Sequence, residues 1–171
     1  TVVCEQPKCS NAIVSQSPFA SNDPNWRART SADDPTNGYY YLSAANVQVD
    51  SMSHFTVWGL EAINLGTWVP CDGVGTFNVT TYADDGSGLP GAILDQQLSI
   101  TPVRSGTGEF FYDTYELFSY EFEFTTSGFD HISVQSNSDG LDCYYLWMGS
   151  PAGDGVSSTF EDEDSGWYVP N

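Results

Sequence analysis

The feature that most constrains this fold is a strict alternation of aromatic and polar residues over positions 118–125. The aromatic positions are Phe118, Tyr120, Phe122 and Phe124, and the polar positions between them are Ser119, Glu121, Glu123 and Thr125. A repeat of two residues is that of a β-strand with one buried and one solvated face. No segment keeps a period of 3.6 residues over three helical turns, so we predict essentially no helix.

Shorter segments of strand character recur along the chain, separated by Gly, Pro, Asn and Asp. We predict strands over residues 39–42, 47–49, 55–63, 76–82, 93–101, 118–125, 132–134 and 144–148. Residues 55–63 are apolar at both alternating sets of positions, which indicates a central strand covered on both faces. Many short strands joined by turns predict an all-β chain that folds as an antiparallel, jelly-roll-like β-sandwich.

The length of 171 residues fits one domain. We assign residues 19–171 to a single sandwich domain and interpret residues 19–38 within it as loop. Residues 1–18 hold short apolar islands around Cys4 and Cys9, and we predict that they form an extended N-terminal arm. Because the sequence begins without a signal-like segment, we expect either a processed mature chain or a trimmed one.

The charge of the chain excludes several classes of partner. The 23 acidic residues outnumber the 4 basic ones and give a formal net charge of -19. Nucleic-acid phosphates and anionic lipids require clustered Lys and Arg, so neither is expected as a partner. The apolar runs are far shorter than the roughly 20 residues of a membrane-spanning helix, so no membrane span is expected.

The four cysteines indicate disulfides rather than a zinc site, because their spacing does not suit zinc. Three pairings are open. We favour Cys4–Cys9, which is local, and Cys71–Cys143, whose members flank predicted core strands. Disulfides and numerous turn residues are typical of a secreted or cell-surface protein.

Residues 75–92 combine a strand, an acidic hairpin and a modification signal. Asn78-Val79-Thr80 is a sequon for an N-linked glycan, and Asn78 is expected on the outward face of its strand. Asp84 and Asp85 in this hairpin, with Asp139 and Asp142 in a later turn, are candidate calcium ligands. The sequence implies no other cofactor.

Catalytic motifs are poorly represented, and we predict that the protein is not an enzyme. His54 and His131 lack a second histidine at ligand spacing, and no G-x-S-x-G motif occurs. Glu121 and Glu123 share one strand face, as a glycosidase pair could. A simpler interpretation is that both glutamates lie on the solvated face of an amphipathic strand.

Several segments together resemble a family of β-sandwich modules found in secreted and cell-surface bacterial proteins. The resemblance rests on the following segments: Phe55-Thr56-Val57-Trp58-Gly59-Leu60, Thr76-Phe77-Asn78-Val79, Tyr82-Ala83-Asp84-Asp85, Gly88-Leu89-Pro90-Gly91, Tyr120-Glu121-Phe122, Ile132-Ser133-Val134-Gln135 and residues 143–147. It covers roughly half of the chain and is most specific around the Leu-Pro-Gly hairpin. It implies a structural or adhesive role without a shared catalytic site.

The chain departs from that pattern after residue 149, where modules of this kind continue into a further apolar strand and none is predicted here. A sandwich that lacks a strand has an open sheet edge. We expect residues 1–18 to fill such an edge, in the same subunit or in the next. Pairing with the next subunit would generate an open filament, so the first hypothesis is a self-assembling extracellular structural protein.

The alternative hypothesis is a carbohydrate-binding or adhesion module. Exposed aromatic residues bind glycans in some sandwich modules, and six aromatic residues fall in or near predicted loops. The candidates are Trp26, Trp68, Trp167 and the run Tyr39, Tyr40 and Tyr41. This hypothesis predicts a pair of exposed, coplanar rings.

Overall fold

The computed structural model describes residues 17–47, 49–151, 157–160 and 166–167. These residues form two antiparallel sheets packed against each other and contain no helix. The strands are β1 Ala28–Thr30, β2 Ala32–Asp34, β3 Tyr39–Asn46, β4 Ser51–Asn64, β5 Trp68–Pro70, β6 Phe77–Asp84, β7 Pro90–Ile100, β8 Val103–Phe111, β9 Tyr115–Ser127, β10 His131–Asn137, β11 Tyr144–Met148 and β12 Ser157–Phe160. The predicted all-β sandwich is therefore confirmed.

Each sheet contains six strands. The first sheet has the order β1-β11-β4-β9-β8, and β5 also pairs with β4. The second sheet has the order β12-β3-β2-β10-β6-β7, with further pairing between β3 and β10. All of these pairings are antiparallel except the short parallel contact between β2 and β10. In consequence β7 and β8, which are consecutive in the chain, lie at the edges of different sheets.

The core between the sheets is built from the alternating aromatic residues. Tyr120, Phe122 and Phe124 on β9 point inwards, as the sequence pattern predicts. The rings of Phe55 and Phe122 stack at 5.0 Å across the β4–β9 pair. Phe77 of the second sheet lies against both Tyr120 and Phe122, with ring centroids 5.3 and 5.5 Å away. The alternation in the sequence of β9 thus determines which of its side chains face the core.

A second apolar cluster covers the outer face of the first sheet. It contains Trp58 and Leu60 of β4 together with Phe111, Leu117 and Met148. Phe19 and Trp26, which precede β1, pack against this cluster. Strand β4 is therefore buried on both faces, which confirms the prediction for residues 55–63.

One disulfide joins the loop after β5 to the residue before β11. The sulfur atoms of Cys71 and Cys143 are bonded, and the two residues are 72 positions apart. This confirms the favoured pairing for these two cysteines. Cys4 and Cys9, and the arm up to residue 16, lie outside the described residues.

Several predictions of strands and loops were wrong. Residues 19–38, interpreted as loop, contain β1 and β2, which are each three residues long. Strands this short are held in place by pairing, β1 with β11 and β2 with β3. Val47 and Val49 are not in a strand. Strand β8 was missed because its sequence is rich in Gly, Ser and Thr and carries little apolar alternation.

The prediction that no strand follows the Trp-bearing segment near residue 147 was also wrong. Strand β12 pairs antiparallel with β3 from Ser157↔Ala45 to Phe160↔Leu42. Its sequence is mainly polar, so no apolar pattern predicted this strand. Such a strand forms because the edge of β3 supplies backbone hydrogen-bond partners. The same chain therefore covers the outer edge of β3.

Candidate functional site

The most exposed edge of the sandwich is formed by β7 and β8, which we call the open side. Within the described part of the chain, β7 pairs with β6 alone and β8 with β9 alone. They are 11 and 9 residues long, whereas the opposite edge strands β1 and β12 have 3 and 4 residues. A long edge strand presents unpaired backbone N–H and C=O groups to a possible partner.

The side chains of the open side are apolar and nearly uncharged. Half of the large apolar side chains that are exposed in the described residues lie here, namely Ile93, Leu94, Leu98, Val103 and Phe110. Positions 90–111 carry one aspartate, one arginine and one glutamate, in a chain whose net charge is -19. A second acidic molecule therefore meets little local repulsion at the open side.

Irregular pairing restricts where another strand could join. The β6–β7 register shifts at three points, and the β8–β9 register shifts between Gly106 and Phe110. Bulges of this kind twist an edge and limit indiscriminate pairing. The regular stretches that remain include residues 95–97 of β7 and 103–106 of β8.

A groove of about 340 Å³ lies on the outer face of the second sheet. Its floor comes from strands β3, β6 and β10, one side comes from β7, and Trp167 borders it. Three aromatic residues line it: Tyr40, Tyr82 and Trp167. The rings of Tyr82 and Trp167 meet edge to face, with centroids 5.5 Å apart.

The polar lining of the groove consists mainly of amides and hydroxyls. Gln96 Nε2 donates to Thr80 Oγ1 at 3.0 Å, and Gln135 Nε2 donates to the backbone oxygen of Tyr41 at 2.9 Å. These bonds orient both side-chain amides. Among the described lining residues, Asp33 is the one carboxylate. The groove is therefore polar and close to neutral.

Asn78 lines this groove as well. Its Nδ2 donates to Asn137 Oδ1 at 2.9 Å, and its Oδ1 accepts from the Ser99 amide at 3.0 Å. The side chain is half-buried on the outer face of β6, opposite in direction to the buried Val79. The structure thus places Asn78 on the predicted face, where it also forms part of a hydrogen-bonded pair. Its glycosylation stays a prediction.

The four aspartates proposed as calcium ligands do not come together. In the described residues, no three His, Cys, Asp or Glu side chains are grouped so that they could hold a metal ion. Asp84 Oδ1 accepts from the Gly86 amide at 2.6 Å, and Asp85 Oδ1 accepts from the Ser87 amide at 2.7 Å. Asp139 Oδ1 instead accepts from the Thr36 amide, and Asp142 lies in a left-handed turn with φ of 49°.

The acidic hairpin is stabilised by its own carboxylates. The hydrogen bond from the Gly86 amide is the largest cause that holds the pKa of Asp84 below its ordinary value, and the hydrogen bond with His131 is the second. Hydrogen bonds from Ser87 likewise lower the pKa of Asp85. These aspartates act as turn caps, a common use of Asp in tight turns.

The two histidines occupy different environments. His131 is buried, and its Nε2 lies 3.3 Å from Asp84 Oδ2, so it ties β10 to the hairpin. His54 is exposed and lies 3.8 Å from Glu123. Glu121 is half-buried and Glu123 exposed on the outer face of β9, which agrees with their interpretation as the wet side of that strand.

A buried polar cluster that the sequence analysis missed surrounds Glu61. Its side chain is inaccessible to solvent, and Arg104 binds both carboxylate oxygens at 2.7 and 2.9 Å. Tyr120 donates its hydroxyl to Glu61 Oε1 at 2.7 Å, and the Gly73 amide donates to Oε2 at 2.9 Å. Burial, with Glu61 nearby, raises the pKa of Tyr120 well above its usual value. The sequence feature that could have revealed this cluster is the lone glutamate within the apolar run 55–63.

The loop aromatics predicted for glycan binding separate into four groups. Trp26 packs on Phe111 at 4.8 Å and so belongs to the apolar cover of the first sheet. Trp68 on β5 is 41% exposed and stands apart from the groove. Tyr39 and Tyr41 lie on one face of β3 with centroids 6.1 Å apart, whereas Tyr40 lines the groove.

Comparisons with known proteins do not assign this chain to a family. No protein-family model, no curated protein and no solved structure matches it. No helix in the described residues is long and apolar enough to cross a membrane.

Proposed function

We propose that this protein is a secreted or cell-surface structural protein that assembles with copies of itself through the open side. The observation that carries the proposal is the pair of long edge strands β7 and β8, with five exposed large apolar side chains and little charge. The register shifts limit indiscriminate pairing, but they leave residues 95–97 and 103–106 regular enough for one strand to join.

The partner strand is residues 1–18 of a neighbouring copy. This segment carries one glutamate and one lysine, so it is neutral and can approach the open side of an acidic molecule without repulsion. Its apolar islands, Val2-Val3 and Ile13-Val14, suit an added strand that places side chains against exposed leucine and isoleucine. The sixteen residues before Ser17 span about 50 Å when fully extended, which is enough to reach an adjacent molecule.

The attachment point of this segment favours pairing between molecules. Ser17 accepts a hydrogen bond from Ser150, and the Phe19 amide donates to Gly149, both of which follow β11. In the first sheet β11 lies beside the β1 edge, with β4 and β9 between it and β8. A segment that starts near one edge and binds the other edge of the next copy forms a head-to-tail contact, which propagates into an open polymer.

The test compares four proteins that span residues 1–171 or 19–171, by electron microscopy and light scattering. We expect wild type to polymerise and the chain without residues 1–18 to stay monomeric. Leu98→Glu should raise the concentration needed for assembly at least ~10-fold, because an apolar contact is replaced by a charge. Leu65→Glu adds the same charge at an exposed leucine outside the open side and should assemble like wild type.

Three results would overturn the proposal. A wild-type chain that stays monomeric at every concentration tested would remove the assembly function. Unchanged polymerisation without residues 1–18 would exclude the arm as the partner strand. Equal behaviour of the Leu98→Glu and Leu65→Glu variants would show that the open side takes no part.

A further inference from the structure

We propose that the groove on the outer face of the second sheet is a binding site for a neutral glycan. The groove shares Ile93 and Gln96 of β7 with the open side, whereas Leu98 and Val103 do not line it. Its volume of about 340 Å³ is at the small end of the range for small-molecule sites, roughly 300–1,000 Å³. That space suits a short stretch or the end of an oligosaccharide chain.

The aromatic residues of the groove match the apolar faces of sugar rings. A pyranose ring exposes C–H groups on its faces, and the face of an aromatic ring carries the negative part of its quadrupole, which attracts them. Trp167 is half-buried at the border of the groove, and Tyr40 on β3 is also half-buried. Tyr82 contacts the Trp167 ring edge to face and so helps to set its orientation.

The polar residues match sugar hydroxyls, each of which can donate and accept a hydrogen bond. Side-chain amides offer donors and acceptors on one rigid plane. Gln96 and Gln135 are each held by one hydrogen bond from Nε2, to Thr80 Oγ1 and to the Tyr41 carbonyl oxygen. Their remaining amide atoms are thereby oriented before a ligand arrives, which lowers the entropic cost of binding.

The charge of the groove selects the class of glycan. Among the described residues that line the groove, Asp33 is the one carboxylate and none is Lys or Arg. In a molecule of net charge -19 an acidic glycan would be repelled, and the described lining residues offer it no cation. The ligand is therefore a neutral oligosaccharide rather than a uronate or a sulfated chain.

Titration calorimetry of the full chain tests this site, with cello-, xylo-, manno- and chitotetraose as neutral probes and tetragalacturonate as the acidic probe. We expect at least one neutral probe to bind and the acidic probe to bind no detectable amount. Trp167→Ala should weaken binding by about 10-fold, since it removes a stacking surface. Trp68→Ala removes a tryptophan outside the groove and should bind like wild type.

Two further variants separate this site from the rest of the molecule. Gln96→Ala, on the exposed strand β7, should also weaken binding of the neutral probe, while Leu98→Glu should leave it unchanged. The proposal is overturned if no neutral probe binds, if Trp167→Ala binds as tightly as Trp68→Ala, or if tetragalacturonate binds more tightly than every neutral probe. Because Leu98→Glu is expected to impair assembly, its unchanged binding of the neutral probe separates the groove from polymerisation.

Discussion

At the scale of single residues, the most demanding feature is the buried carboxylate of Glu61. Its side chain is inaccessible to solvent, and its charge is balanced by Arg104, which is one-third exposed and lies over the Phe118 ring at 3.7 Å. Burying a charge is unfavourable unless it is paired and hydrogen bonded. The cluster therefore joins the loop after β5 to β8 and β9 at a site that tolerates few substitutions.

Removing the charge of Arg104 should show how much the Glu61 cluster contributes to stability. Arg104→Met leaves Glu61 buried without its charge partner, and we expect a loss of about 3 kcal/mol in the free energy of unfolding. The double variant Glu61→Met/Arg104→Met should recover most of that loss, because no uncompensated charge remains. Urea denaturation of the three proteins measures both effects.

A matched control uses the other partner of Arg104. Asp72 contacts Arg104 Nη2 at 2.7 Å but is mostly exposed, so Asp72→Asn should cost no more than about 1 kcal/mol. If Arg104→Met proved as mild as Asp72→Asn, the Glu61 cluster would contribute little to stability.

At the scale of elements, the disulfide links parts of the chain that are distant in sequence. Cys71 follows β5 and Cys143 precedes β11, with 72 positions between them. Closing a loop of this length in the unfolded chain is worth about 4 kcal/mol in the chain-entropy model. The bridge also holds the loop that carries Asp72 and Gly73 against Glu61.

We expect the variant Cys71→Ser/Cys143→Ser to unfold at lower urea concentration, with a free energy of unfolding about 4 kcal/mol below that of wild type. Reductant should destabilise wild type by a similar amount and have little further effect on the variant. Equal stability of wild type and variant in the absence of reductant would contradict this role of the bridge.

At the scale of the whole molecule, the net charge of -19 opposes self-association, while the nearly uncharged open side permits it. Salt weakens the repulsion because the Debye length falls from about 30 Å at 0.01 M to about 8 Å at 0.15 M ionic strength. We therefore expect the concentration required for assembly to fall as salt rises over this range, as measured by light scattering.

The Leu98→Glu variant serves as a control for this effect. Its assembly should remain weaker than that of wild type at each salt concentration, because salt screens charge but does not replace an apolar contact. Assembly of wild type that is strongest at the lowest salt would contradict an apolar, near-neutral contact and indicate pairing of opposite charges instead.

The sequence by itself determined the faces of the main strands and the all-β class. The alternation over residues 118–125 and the apolar run 55–63 are local patterns, and a strand turns successive side chains to opposite faces wherever it lies. Pairing of Cys71 with Cys143 was predictable because both flank core strands. The turn chemistry of Asp84 and Asp85 was visible as well, and their carboxylates accept hydrogen bonds from amides of the hairpin.

Only the tertiary structure decided which strands lie at edges and which side chains meet. Strand order depends on contacts between residues far apart in the chain, so no local pattern could place β8 at an edge or β12 beside β3. The groove is assembled from β2, β3, β6, β7, β10 and Trp167, and Glu61 finds its cation 43 residues away at Arg104. Both features arise from packing of the sheets, which is a property of the whole fold.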